Sequence, residues 1–218
     1  MDLFILTKKA AFIDVDGTLT TDHNAWEKVH RRFGLEKEMK EHHALFFSQK
    51  ITYDEWAKMD VTMWKGRPYS DFQDALKNPK LIGSAREGIQ LLQRNGFEVV
   101  LISGGLEEMV KNVADMIQAD SFISNVISQT DGIIDGQVMM KVGVSKEDVI
   151  ADIAKNQNYD LEASIAIGDG FNDIEMFKSV GYSVSLNPTS EEVADAADSV
   201  YFSNNFYEVI SAVLDFIP

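Results

Sequence analysis

The chain has 218 residues, 45% of them hydrophobic, enough to bury a full core as one large domain or as a core with a small insert. Its formal net charge of −15 argues against a broad nucleic-acid surface and against attraction to anionic membranes. It contains no cysteine, which excludes disulfides, thiolate metal sites and cysteine nucleophiles.

No apolar segment approaches the length of a membrane span. Leu3-Phe4-Ile5-Leu6 is too short for a secretory signal and lacks its basic flank. A cytoplasmic protein is therefore the expectation. The first predicted element is a buried strand over the apolar run 10–13. It leads directly into Asp14-Val15-Asp16-Gly17-Thr18-Leu19-Thr20. Residues i and i+2 of an extended chain face the same side, so Asp14 and Asp16 can meet one reactant. A carboxylate is a weak nucleophile, but its phosphate ester is an intermediate that water can resolve. Asp14 is the candidate nucleophile. Asp16 is the candidate general acid and base.

Residues 22–80 hold no convincing strand, yet contain all three tryptophans and all four histidines. Four helical segments are predicted, near 24–34, 36–48, 52–64 and 69–77. Gly66-Arg67-Pro68 and Asn78-Pro79 punctuate the end. This segment reads as a helical cap inserted after the first strand. Trp26, Trp56 and Trp64 read as cap core. His42 and His43 are adjacent on a helix and diverge by roughly 100°, so they do not grip one ion together.

Beyond the insert, helices are predicted over 84–94, 106–118 and 145–156, and strands over 98–102, 164–167 and 182–186. This alternation implies a parallel sheet covered on both faces, with ligands bound beyond the carboxyl ends of its strands. The second strand ends in Ser103-Gly104-Gly105, where a hydroxyl and a free amide can hold phosphoryl oxygens. Residues 125–140 read as a small hairpin. A phosphoryl group needs positive charge nearby, and Lys146 or Lys141 is the candidate to supply it. The third strand leads into Gly168-Asp169-Gly170-Phe171-Asn172-Asp173. Asp169 there is placed to ligate a hard cation, with Asp173 reinforcing the charge.

Taken together, these segments resemble the haloacid dehalogenase superfamily of aspartate-nucleophile phosphotransferases. Asp14-Val15-Asp16-Gly17-Thr18 is similar to its first motif, Ser103 with Gly104-Gly105 to its second, Lys146 to its third, and Gly168 to Asp173 to its fourth. The spacing of Lys146 from the fourth motif, and a cap between the first two motifs, resemble the phosphoserine phosphatase branch. So do Tyr53-Asp54-Glu55-Trp56 and Trp64-Lys65-Gly66-Arg67.

The resemblance implies an α/β fold. Its Rossmann-like parallel-sheet core would span residues 1–21 and 81–218, covered by helices on both faces. The small helical cap would span 22–80. It implies a magnesium-dependent phosphomonoester hydrolase that acts on a small phosphorylated metabolite through an aspartyl-phosphate. The magnesium set would be Asp14, Asp16 through its backbone carbonyl, and Asp169, with Asp173 orienting bound water or Lys146. Ser103, Gly104 and Asn172 would touch phosphoryl group or substrate. Where the branch carries a substrate-binding glutamate, this chain reads Thr21-Asp22-His23-Asn24. His23 occupies the aligned position and Asp22 is its alternative. The carboxylate-binding arginine would be Arg67, with Arg31 and Arg32 as competitors. A phosphotransferase or mutase on the same core, and a catalytically silent regulatory module, are the rival readings. A monomer or small homo-oligomer is expected.

Overall fold

The computed structural model describes residues 7–21 and 24–217. The Leu3 to Leu6 run, Asp22 and His23 lie outside the described residues. Strand β1 (Lys9–Ile13) shows how the core is laid out. Its side chains alternate between the two faces of the sheet. Ala11 and Ile13 enter one apolar cluster, which Val15 extends, while Ala10 and Phe12 enter another on the opposite face. Beyond Lys9 the strand is apolar and buried throughout, as a parallel sheet covered on both sides requires.

Around β1 lie β2 (Phe97–Leu106), β3 (Ser121–Thr130), β4 (Ile133–Met139), β5 (Ile165–Gly168), β6 (Tyr182–Leu186) and β7 (Ser199–Tyr201). The order across the sheet is β4-β3-β2-β1-β5-β6-β7. All neighbours are parallel except β3 and β4, which form an antiparallel hairpin. The expected hairpin over 125–140 is therefore present. It is longer than its turn signals suggest, because β3 first pairs with β2 and only then with β4.

Helices α5 (Ala85–Arg94), α6 (Glu107–Ile117) and α10 (Phe206–Leu214) cover the face holding Ala11 and Ile13. Helices α7 (Glu147–Gln157), α8 (Ile174–Lys178) and α9 (Glu191–Asp195) cover the other.

The segment after β1 is helical throughout its regular part: α1 (Ala25–Phe33), α2 (Glu36–Phe47), α3 (Tyr53–Trp64) and α4 (Tyr69–Leu76). Local chemistry sets its starts. The Asn24 side chain accepts from the Glu27 amide at 3.1 Å and caps α1. Thr52 and Glu55 form a reciprocal capping box on α3. Gly34 ends α1 with φ +67°, a left-handed value that glycine adopts without strain.

These helices share a third apolar cluster with Leu106 and Met109 near the start of α6 and with Ile127 and Ile134 of the hairpin. Trp64 and Phe72 are fully buried there. Tyr69 donates to Glu108, a second tie between the insert and α6. Among the described residues, no helix is long and apolar enough to cross a membrane.

Candidate active site

The register of the three central strands places the chemistry. Ile13 of β1 is level with Leu101 of β2 and Ile167 of β5. The residues that follow each of them, Asp14, Ser103 and Asp169, therefore emerge at one carboxyl edge. The Asp14 amide donates to the Ile167 carbonyl at 2.9 Å, which ties the first and fourth motifs together.

Lys146 stands at the start of α7 with its side chain fully buried. Its ammonium donates to Asp14 Oδ1 and, at 2.6 Å, to Asp173 Oδ1. Lys141, the competing candidate, instead pairs with Glu107 at 3.2 Å near the surface. Burial opposes the charge on Lys146, but Asp14 and Asp173 outweigh it and push its pKa above the usual lysine range.

Asp173 uses both oxygens. While Oδ1 accepts from Lys146, Oδ2 accepts from the Asp169 and Gly170 amides at 3.0 and 2.9 Å. Thr18 donates to Asp169 Oδ1 at 2.8 Å, and the Thr189 amide and hydroxyl both donate to the Asp169 carbonyl at 2.9 Å. Gly17 has φ +96°, and a Cβ there would collide with the Asp169 carboxylate. The first motif's glycine thus serves both the turn and the approach of the fourth motif.

Ser103 is buried and its Oγ accepts from the Gly105 amide at 2.9 Å. Asp16 lies beside it, because a Cβ on Gly105 would approach both Asp16 Oδ2 and Ser103 Oγ. One oxygen of Asp16, Oδ1, is buried without a hydrogen-bond partner.

The electrostatics are those of an acidic cluster short of positive charge. Burial pushes Asp14 up to about 8, with Lys146 opposing and Asp173 and Asp169 adding to the rise. Burial and the Asp14 charge push Asp16 up to about 7. Burial lifts Asp169 to about 7, against the hydrogen bond from Thr18. Carboxylate oxygens of Asp14, Asp169 and Asp173 lie within 4.8 Å of one another. Four carboxylates face one ammonium in a buried space. That donor set, all oxygen, fits a hard divalent cation.

A cavity of about 460 Å³ opens over this cluster. Its floor includes Asp14, Asp16, Ser103, Gly104 and Asp169, and Asn172 stands at its side. Its roof comes from the helical insert, with Trp26, Trp56, Tyr53, His43, Phe46 and Phe47. Trp26 and Trp56 are 3% and 7% exposed, so they serve the insert's packing and the cavity wall together. Trp64 does not reach the cavity. Arg67 does not line it either: its guanidinium sits 4.6 Å over the Phe33 ring. Arg31 and Arg32 pair with Glu27 and Asp71 on the surface.

Several contributors carry no sequence signal of their own. The Gly104 carbonyl accepts from Trp26 at 3.1 Å, from Tyr53 at 3.2 Å and from Asn125 at 3.0 Å. Asn125 also accepts from the Lys141 and Val142 amides and donates to the Val142 carbonyl. Its place at the start of an extended hairpin gave no hint of this. Thr189 was more accessible, since it follows β6 and so sits at the same sheet edge.

Comparison with known proteins accords with this geometry. The family model described as haloacid dehalogenase-like hydrolase matches residues 11–178. The chain is 29% identical over 192 residues to a phosphoserine phosphatase of Methanocaldococcus jannaschii, covering 86% of this chain and 90% of that protein. It is 28% identical over 195 residues to the phosphoserine phosphatase SerB2 of Mycobacterium tuberculosis, covering 88% of this chain and 47% of that longer protein. A solved phospho-aspartyl intermediate analogue of phosphoserine phosphatase superposes with a TM-score of 0.81 at 26% identity, covering 98% of this chain and all of that one. With the four motif segments converging at one sheet edge, the chain belongs to the haloacid dehalogenase-like hydrolases.

Proposed function

We propose that the protein hydrolyses the phosphate monoester of a small metabolite, with Asp14 as nucleophile and the helical segment 22–80 as a cap over the site. One observation carries this reading. Asp14 is buried at a strand tip, with a lysine on one oxygen and Ser103, Asp16 and Asp169 around the same cavity.

Asp14 and Asp169 would hold a divalent cation, with Asp173 beside them, and the all-oxygen set favours magnesium. Bound there, it would neutralise charge on the phosphoryl oxygens. Lys146 supplies positive charge from the other side, and Ser103 with the Gly104 amide would orient the phosphoryl group. Asp14 attacks phosphorus in line, and the ester P–O bond breaks. Asp16, beside Ser103 at the same cavity, gives its proton to the departing oxygen. Asp16 then takes a proton from the attacking water, which frees phosphate and restores Asp14. Ester and water thus become alcohol and phosphate. The aromatic roof excludes bulk water from these steps. Asp173 positions Lys146 and the Asp169 loop.

The test is phosphate release from p-nitrophenyl phosphate with and without magnesium. Asp14→Asn should abolish it while leaving the melting transition in place. Wild-type-like turnover in Asp14→Asn protein contradicts the nucleophile assignment.

A further inference from the structure

The walls above the catalytic carboxylates are largely aromatic, with Asn24, His43, Asn172 and Thr189 as polar members, and among the described residues they present no arginine, no lysine and no carboxylate outside the catalytic set. A second cleft, of about 600 Å³, shares Phe46, Phe47, Tyr53 and Asn172 with the first. It runs between the end of α2 and the loops carrying Val144 and Phe171. Three of its apolar side chains are exposed in this structure: Phe47 at 77%, Phe171 at 62% and Val144 at 43%. Such side chains are individually ordinary on a surface, but clustered around a cavity they mark a ligand groove. Its charged members stand at the rim. Lys50 is exposed, and Glu55 is held by Thr52 in the α3 capping box.

We infer that the leaving group is an uncharged alcohol with an apolar or aromatic body, which lies against Phe46 and Tyr53 and extends toward Phe47 and Val144. This rests on the phosphatase reading above and names its substrate class. An amino-acid leaving group carries an ammonium and a carboxylate. Its carboxylate would meet Asp14, Asp16 and Asp169 and, among the described lining residues, no arginine or lysine, so it loses hydration without gaining a partner. An apolar body meets the opposite situation. The wall already stacks Phe46 on Trp56 at 5.6 Å between centroids and sets Tyr53 5.3 Å from Trp56, so a ring or chain can extend that surface. The small-molecule sites of known proteins span about 300–1,000 Å³, and each cavity is within that range. The reaction is unchanged: the P–O bond to the alcohol breaks, Asp16 protonates the alcohol oxygen, and water supplies the oxygen of the released phosphate.

The test compares ethyl, butyl, hexyl, octyl and 2-phenylethyl phosphate with L-phosphoserine, using phosphate release in saturating magnesium. The alkyl leaving groups have similar basicity, so chain length isolates binding. We expect kcat/KM to climb roughly threefold per methylene from ethyl to hexyl, with hexyl and 2-phenylethyl phosphate above L-phosphoserine. Val144→Asp, a change at an exposed position of the second cleft, should cut the hexyl-to-ethyl ratio of kcat/KM by about tenfold. Its melting transition verifies folding. Phosphate release that is flat with chain length, or highest for L-phosphoserine, overturns the inference and leaves the phosphatase reading standing. A hexyl-to-ethyl ratio unmoved in folded Val144→Asp protein also overturns it. Failure to release phosphate from any ester rejects the phosphatase reading itself.

Discussion

Lys146 and Asp173 form a fully buried ion pair, with Nζ 2.6 Å from Oδ1. The second oxygen of Asp173 is anchored by two backbone amides of the fourth motif. One carboxylate thus fixes both the lysine and the loop that carries Asp169. Without the Asp173 carboxylate, Lys146 keeps Asp14 but loses its second buried hydrogen bond, at a cost of about 1–3 kcal/mol. Asp173→Asn should lower unfolding free energy by about that amount in urea titrations and cut kcat more than it raises KM. A variant as stable as wild type would deny Asp173 this positioning role.

The acidic cluster sets a pH dependence for the metal-free protein. Asp14, Asp16 and Asp169 are raised from 3.8 to about 8, 7 and 7. Between pH 4 and 8 the folded state therefore binds more protons than the unfolded chain, so its stability falls as pH rises. Melting curves in EDTA should show Tm declining across that window and levelling above it. Magnesium should raise Tm more at pH 8 than at pH 5, because a cation replaces the missing protons. A metal-free Tm that climbs steadily from pH 5 to 8 would contradict this.

Gly104 is held in place by its neighbours. Two donors to its carbonyl come from the helical insert and one from β3. Asn125→Ala would strand the Val142 carbonyl and the Lys141 and Val142 amides, while the Gly104 carbonyl keeps Trp26 and Tyr53. A loss of about 3 kcal/mol in stability is expected. Tyr53→Phe removes a single hydrogen bond, whose net worth of about 1 kcal/mol corresponds to a fall of roughly fivefold in kcat/KM. Steady-state kinetics at one pH decide this, and an unchanged constant would show that the Tyr53 bond does not position the motif.

The close approach at Gly17 makes another expectation. Gly17→Ala forces a side chain onto a backbone at φ +96° and into the Asp169 carboxylate. The strained backbone alone costs about 1–3 kcal/mol. Activity should fall by more than tenfold even where circular dichroism shows an intact fold. Full activity in this variant would mean that Asp169 need not sit where it does.

Much of this was legible in the sequence because short apolar runs followed at once by polar or glycine residues mark buried parallel strands. The runs before Asp14, Ser103 and Asp169 became β1, β2 and β5, and their chemistry sits at one edge. The helical insert was legible for a different reason: its apolar residues follow helical spacing, and Asn24 and Thr52 cap two of its helices. Strand β7 was not legible. It is three residues long, half-exposed, and extended through its pairing with β6. Helix position alone hid the inward turn of Lys146, since a lysine at a helix start reads as solvated; its spacing from the fourth motif is what singled it out. The placement of the cap arginines was hidden for a related reason. Arg67 stacks on Phe33 and Arg32 pairs with Asp71, contacts that depend on tertiary placement alone.

The most direct test of the central claim is to intercept the covalent intermediate. Protein turning over a phosphate ester in magnesium is quenched in acid, reduced with borohydride and mapped by peptide mass spectrometry. An acyl phosphate on Asp14 would be reduced to homoserine at that position alone. Homoserine at another aspartate, or none in a sample quenched during a measured burst, would contradict the account.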